Sequence, residues 1–187
     1  MTDNLDLVLE RTIDAPVALV WEAYTSPEHL KRWFAPKPYE ISEIELDLKP
    51  GGVFRIRMVG PDGFDTGHGT PGCVLEVVEG RKLSWTSALG PGYRPNELAT
   101  EGCESFPMTA VITFADAGNG KTAYKAVALH KDEADKDRHE KMGFQDGWGT
   151  TAASSRSLPR ASPSTPDAQT KVRRTPSLEP GASVTKL

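Results

Sequence analysis

The chain has 187 residues, 37% of them hydrophobic, and a formal net charge of −4 at pH 7. This length suits one domain with a substantial core, and the acidic balance disfavours a nucleic-acid-binding surface. No apolar run reaches the roughly 18 residues of a membrane span, and the first residues do not resemble a signal peptide. We therefore expect a cytoplasmic protein that neither spans a membrane nor binds nucleic acid.

The cysteines and histidines show no spacing typical of a metal site. Cys73 and Cys103 lie far apart in the sequence, and in a reducing compartment we expect both to be free thiols. The histidines match no ligand pattern either. They are His29, His68, His130 and His139. We expect neither a metal nor an organic cofactor.

The first 38 residues predict one strand followed by two short helices. Apolar residues alternate along residues 5–13, which is the period of a half-buried strand. Asp14 and Pro16 are typical of a helix start, so we expect Asp14 to cap the first helix. Ser26 and Pro27 repeat this signal before a second helix, which two further prolines end.

Residues 39–130 predict about six strands joined by hairpins. Apolar and polar residues alternate, and turns rich in glycine or proline interrupt the alternation at residues 49–52, 60–63 and 117–120. The loop at residues 90–105 is longer than a hairpin needs. It is either a solvated insertion or the rim of a cavity.

Residues 131–151 predict the main helix of the second half of the chain. Their first half is charged, and Met142, Phe144 and Trp148 follow. An antiparallel sheet with one apolar face needs a cover, which this helix can supply. A run of strands followed by a helix indicates an α+β fold.

Five short segments, in this order, carry a family resemblance. They read Ile-Asp-Ala-Pro-Val-Ala-Leu-Val-Trp (13–21), Ser-Pro-Glu-His-Leu-Lys-Arg-Trp-Phe (26–34), Leu-Lys-Pro-Gly-Gly (48–52), Leu-Glu-Val-Val (75–78) and Gly-Trp-Gly (147–149). Together they resemble the bacterial SRPBCC proteins related to CalC and to the C-terminal domain of the activator of heat-shock-protein-90 ATPase. Residues 88–95 and 139–148 are similar to one subgroup of that family.

The resemblance implies a helix-grip domain over residues 1–150. In that fold a curved antiparallel sheet of about six to seven strands wraps a long C-terminal helix and leaves an apolar cavity. Members of the wider superfamily bind lipids, sterols, polyketides or hormones, and some catalyse cyclisation or ring chemistry. The resemblance covers a single domain without the activator's separate N-terminal domain, so a chaperone partner is not expected, while a homodimer is compatible with the sequence.

A cavity that binds a small apolar or amphipathic molecule needs apolar walls and a few polar groups. The candidate walls are Trp33, Phe34, Phe54, Ile56, Trp85, Met108, Ile112, Tyr124, Phe144 and Trp148. The competing interpretation is that these are ordinary core residues.

Catalysis in the same cavity, as a cyclase or hydrolase, is an alternative function. Tyr124, His130 or His68 could act as acid or base there, but the sequence has no nucleophile elbow, carboxylate pair or phosphate loop. We expect His130 at a strand–helix junction and His139 on a charged helix face. A protein-interaction module that uses the outside of the sheet or the C-terminal tail is a third alternative.

Residues 151–187 form a basic tail rich in serine, threonine and proline, and its composition predicts disorder. The family's last helix normally continues here with leucines facing the sheet. Codons for residues 153–160 can be chosen so that another frame reads Gln-Leu-Glu-Lys-Leu-Ala-Ala, an amphipathic helix end. We therefore hypothesise a frameshift near codons 151–153. An early stop codon or no leucine periodicity in the alternative frame of the coding DNA would refute it.

Overall fold

The structure, a computed structural model, describes residues 5–35, 37–67, 69–97 and 106–144. Its helices and strands follow the predicted order. They are β1 (Asp6–Ile13), α1 (Val17–Thr25), α2 (Pro27–Trp33), β2 (Glu40–Leu46), β3 (Val53–Val59), β4 (Gly72–Val78), β5 (Lys82–Thr86), β6 (Leu89–Gly90), β7 (Arg94–Pro95), β8 (Met108–Gly118), β9 (Lys121–His130) and α3 (Glu133–Lys141).

Seven strands form one curled antiparallel sheet in the order β1-β9-β8-β5-β4-β3-β2, and β6 pairs with β7 in a separate ribbon. Strands β2 to β5 are neighbours in chain order, and β5 pairs with β8 past the β6–β7 ribbon. The last strand, β9, pairs with β8 and also with β1, which brings the N-terminal strand beside it. The predicted α+β architecture of the helix-grip type is confirmed. Cys73 is buried and its thiol is free, as predicted, and Cys103 lies outside the described residues.

The inner face of the sheet follows from the alternation in β8 and β9. Thr122, Tyr124, Ala126 and Ala128 are buried along β9, because every second side chain of a strand points to the same face. Residues opposite them on β8 continue the same apolar surface, with Ile112 across from Ala126. This surface and the helices α1 and α2 enclose the larger of two core clusters.

The predicted cap at Asp14 is wrong. Pro16 occupies the N-cap position of α1 with an extended backbone, and its carbonyl accepts hydrogen bonds from the backbone N–H groups of Leu19 and Val20. Asp14 lies two residues too early to reach them. Its exposed carboxylate instead lies 3.6 Å from the ammonium of Lys121, a surface pair that contributes little to stability.

The last described helix starts at a side-chain cap and ends at a glycine. Asp132 caps α3, since its Oδ1 accepts a hydrogen bond of 2.9 Å from the backbone N–H of Asp135. Gly143 has a φ of +90°, a left-handed conformation that favours glycine and ends the helix. Phe144 follows and is 1% exposed. Trp148 and the tail at residues 151–187 lie outside the described residues.

The described part of the long loop folds back onto the sheet. The backbone N–H of Gly92 donates to the carbonyl of Gly51 at 2.8 Å. The side-chain amide of Asn96 donates to the carbonyls of Pro71 (2.8 Å) and Ser87 (3.0 Å), so it ties together the segments before β4 and after β5. Residues 91–95 of this loop are exposed, and both interpretations of the loop stay predictions.

Candidate functional site

A cavity of about 250 Å³ opens on the inner side of the sheet where β3 and β4 separate. These strands pair only at Val53 with Cys73 and at Phe54 with Gly72. Beyond that point β3 continues while the other chain turns away, which leaves the side chains of Ile56 and Met58 facing a gap. The residues that line it are Phe34, Phe54, Ile56, Met58, Thr66, Thr70, Gly72, Trp85, Ser87, Phe106, Met108, His139 and Met142. We call this space the aromatic cavity.

The aromatic walls come from three different elements. Phe54 on β3 and Trp85 on β5 stack with a ring-centroid distance of 4.4 Å and an interplanar angle of 15°. Phe34, at the end of α2, approaches Phe54 at 6.5 Å. Offset-stacked and tilted rings of this kind are rigid apolar surfaces. They give the cavity a flat, hydrophobic side.

Two hydroxyl groups at the cavity are engaged by the backbone. Thr66 Oγ1 accepts a hydrogen bond of 2.9 Å from the N–H of Met58, and Ser87 Oγ accepts one of 3.1 Å from the N–H of Met108. These bonds satisfy two backbone donors, one on β3 and one on β8.

His139 is the ionisable side chain at the aromatic cavity, and it forms a hydrogen-bonded pair with His130. His130 Nδ1 lies 3.0 Å from the carbonyl oxygen of Leu5, and its Nε2 lies 2.9 Å from His139 Nδ1. A carbonyl only accepts, so Nδ1 of His130 must donate, and with a single proton on that ring its Nε2 is an acceptor. His139 Nδ1–H therefore donates to His130, and His139 Nε2 carries the lone pair.

Burial, and to a smaller extent electrostatic repulsion from His130, lower the pKa of His139 to about 4. The ring is 8% exposed and contacts Phe106 and Phe144 at centroid distances of 5.5 and 5.2 Å. His139 is consequently neutral at pH 7. The expectation that it lies on a charged helix face is wrong, because the end of α3 turns this residue toward the sheet.

A second polar feature lies deeper in the core, where two tyrosines meet. Tyr24 on α1 and Tyr124 on β9 are 6% and 2% exposed, with ring centroids 5.3 Å apart. Among the described residues, neither hydroxyl has a hydrogen-bond partner. Burial raises the pKa of both, and for Tyr24 the neighbouring Tyr124 raises it further. The two hydroxyls are close enough to affect each other's ionisation.

The structure distributes the predicted site residues over two places. Phe34, Phe54, Ile56, Trp85 and Met108 line the aromatic cavity. The next group packs in the adjoining core cluster. Its members are Trp33, Ile112, Tyr124 and Phe144. Trp148 and His68 lie outside the described residues. His130 does not line the cavity but contacts two residues that do, His139 and Phe106.

Several cavity residues were missed by sequence reasoning. Met58 continues the alternation of Phe54 and Ile56 along β3, so that pattern could have identified it. Phe106 likewise continues the alternation of Met108 and Ala110 along β8. His139 has no such signal, because its position depends on how α3 docks against β9. The remaining ones lie in loops or at an element's end, and they are Thr66, Thr70, Gly72, Ser87 and Met142.

A family model described as activator of Hsp90 ATPase homolog 1-like protein matches residues 14–155. This match spans well over half of the sequence. The chain belongs to this family. No curated protein sequence matches it at a significant level.

Solved structures agree with the family assignment. A crystal structure of a Nitrosomonas europaea protein is 43% identical, with a TM-score of 0.71, and the match covers 82% of this chain and 92% of that chain. A Mycobacterium smegmatis protein is 24% identical, with a TM-score of 0.65 and coverage of 87% and 94%. The second similarity shows the fold alone.

The described residues include no helix long and apolar enough to cross a membrane. They also include no cluster of three or more histidine, cysteine, aspartate or glutamate side chains that could hold a metal ion.

Proposed function

We propose that this family member binds a small apolar or amphipathic molecule in the aromatic cavity. The observation that carries the proposal is the separation of β3 from the chain before β4, which leaves a space of about 250 Å³ beside two stacked aromatic rings instead of a filled core. Ligand sites are typically concave and mostly apolar, with a few convergent polar groups. The aromatic walls and the side chain of His139 fit this description.

The shape and size of the cavity limit which ligands can bind. The ring pair of Phe54 and Trp85 suits a flat or elongated hydrocarbon surface. Met142 is 50% exposed and lies beside the cavity. Its flexible side chain can adapt to ligands of different shape. Since the volume is small, we expect a ligand of one to three rings or a short chain.

A substitution that fills the cavity tests this proposal. We expect Ile56→Phe to weaken the binding of 4-isopropylbiphenyl at least tenfold, because the larger ring occupies space that the ligand needs. Val78→Phe is the matched control, since Val78 is an exposed strand residue outside the cavity. Calorimetric titration measures both variants. Equal affinities of the two variants and the wild type would refute the proposed site.

Extraction of the purified protein tests the proposal without choosing a probe. Denaturing mass spectrometry should detect an apolar small molecule that co-purifies with the wild type and is depleted in Ile56→Phe. If nothing is extracted, and a panel of lipids and polyketides leaves the melting temperature unchanged, the proposal fails.

Acid–base catalysis in the same cavity is a second candidate, favoured by the fixed tautomer of His139. Its imidazole is neutral at pH 7 and can accept a proton on Nε2, although a pKa of about 4 makes it a weak general base there. Such a role predicts that hydrolysis of p-nitrophenyl acetate falls at least tenfold in His139→Gln. An unchanged rate in that variant would exclude it.

A further inference from the structure

The methionines of the chain are concentrated at the aromatic cavity. The sequence has four, and three of them line this space: Met58 on β3, Met108 at the start of β8, and Met142 at the end of α3. The proposed function uses these side chains only as apolar walls. A thioether differs from other apolar groups because peroxides convert it into a sulfoxide, which is polar. The cavity therefore has sites of oxidation in its own wall.

Exposure distinguishes Met142 from the other two. Met142 is 50% exposed, whereas Met58 and Met108 are partly buried within strands, and Met108 packs against the larger core cluster. Met142 lies at the C-cap of α3 and is followed by Gly143, where the helix ends. Oxidation of a methionine requires access of the oxidant to the sulfur. Met142 is consequently the one of the three that a soluble oxidant reaches first.

A sulfoxide at Met142 changes the exposed side of the aromatic cavity. Its oxygen is a strong hydrogen-bond acceptor, and at a half-exposed position water satisfies it. A ligand that covers this oxygen must displace that water, and burying a polar group without a replacement partner costs free energy. The ring of Phe106, which lines the same cavity, offers no donor to replace it. Oxidation of Met142 therefore opposes the binding of an apolar molecule.

We propose that Met142 is a site of oxidation by hydrogen peroxide, and that its sulfoxide weakens ligand binding in the aromatic cavity. This inference rests on the proposed function and adds a modification that controls it. The sulfur donates an electron pair to one peroxide oxygen, so an S–O bond forms as the O–O bond breaks. The other oxygen takes up the proton of the new S–OH group and leaves as water. The sulfur is oxidised by two electrons and the peroxide is reduced, and methionine sulfoxide reductases reverse the change.

Peptide mapping by mass spectrometry tests which methionine reacts. The full chain is treated with hydrogen peroxide at pH 7.5, and the sulfoxide fraction of each methionine is followed with time. We expect Met142 to be oxidised about tenfold faster than Met58 and Met108, because its side chain is half exposed. In urea, where all three are exposed, the rates should be similar. Equal rates in the folded protein would overturn the assignment of Met142.

Calorimetric titration with 4-isopropylbiphenyl tests the effect on binding. We expect the affinity of the wild type to fall about fivefold after oxidation, and to recover after treatment with methionine sulfoxide reductases A and B. The matched control is Met142→Leu, which keeps an apolar side chain of similar size and both cysteines but has no thioether at this position. Its affinity before and after peroxide treatment should be the same.

The two proposals fail on different results. If oxidised wild type binds the probe as well as untreated wild type, or if peroxide weakens binding by Met142→Leu as much as by the wild type, the inference is refuted and the aromatic cavity stands. If the untreated wild type does not bind the probe, the proposed function is refuted and the inference falls with it. An oxidised wild type that has unfolded, as measured by circular dichroism, also refutes the inference, which requires a folded protein with an altered cavity wall.

Discussion

Replacing Phe144 with alanine is expected to lower the free energy of unfolding by about 3–5 kcal/mol, the usual cost of removing a large buried aromatic side chain. Phe144 is 1% exposed and belongs to the larger core cluster. Its ring contacts that of His139 at 5.2 Å. Phe144 follows Gly143, the residue that ends α3. A large loss of stability in Phe144→Ala would therefore show that the chain beyond α3 packs against the sheet.

Met142→Ala is the control for this prediction. Met142 lies two residues earlier on the same segment but is half exposed, so its truncation should cost under about 1 kcal/mol. Urea unfolding at pH 7.5 measures both variants. If Phe144→Ala is as mild as Met142→Ala, the segment does not close the core and the described packing of Phe144 is wrong.

Lowering the pH from 6.5 to 4 is expected to destabilise the protein through His139. The pKa of His139 is about 4 in the folded protein and about 6.5 in the unfolded chain. Between these values the unfolded state binds the extra proton, so stability rises with pH. The contribution of His139 is complete above pH 6.5 and disappears as the pH falls through this window. After allowance for the part of the ring that solvent reaches, His139 contributes roughly 2 kcal/mol to the free energy of unfolding at neutral pH.

The variant His139→Gln isolates this contribution from that of other ionisable groups nearby. These include His130, bonded to His139, and Asp135, a buried residue one turn earlier on α3 whose carboxylate pairs with Lys131 at 2.8 Å. Glutamine can still donate to His130 but does not titrate. Unfolding free energies at pH 7.5 and 4.5 should differ by about 2 kcal/mol less in the variant than in the wild type. The same pH dependence in both proteins would contradict the account.

The strand pattern predicted the inner face of the sheet, but not where on that face the cavity lies. Ile56 and Ile112 have the same alternating pattern, yet only Ile56 lines the aromatic cavity, and Ile112 is 4% exposed in the core. The difference arises because β3 and β4 pair at two positions and then separate. The alternation of apolar and polar residues shows which face of the sheet a side chain occupies. The separation of β3 from β4, in contrast, depends on the loop between these two strands.

The helices show a different limit of prediction from sequence. The charge pattern of α3 correctly predicted a helix, but it gave no sign that His139 would be buried against His130. Helix periodicity groups residues on a face, and which face docks is decided by tertiary contacts. For the same reason, sequence reasoning had no signal for Tyr24 as a partner of Tyr124, since the two are a hundred residues apart and meet only when α1 packs on β9.

The C-terminal tail stays a prediction. The family match ends at residue 155, shortly after the position where the composition changes, and residues 151–187 lie outside the described residues. Sequencing of the coding DNA, as set out for the alternative reading frame, decides between an encoded tail and a shifted frame.

The aromatic cavity is tested most directly by recording amide and indole N–H signals by NMR during titration with 4-isopropylbiphenyl. We predict saturable shifts of the Trp85 indole and of the amides of Ile56 and Met58, which line the cavity. The amides of Val78 and Val127, which are not among the residues that line it, should change little. No saturable shift, or shifts confined to Val78, Val127 and their neighbours, would contradict ligand binding in the aromatic cavity.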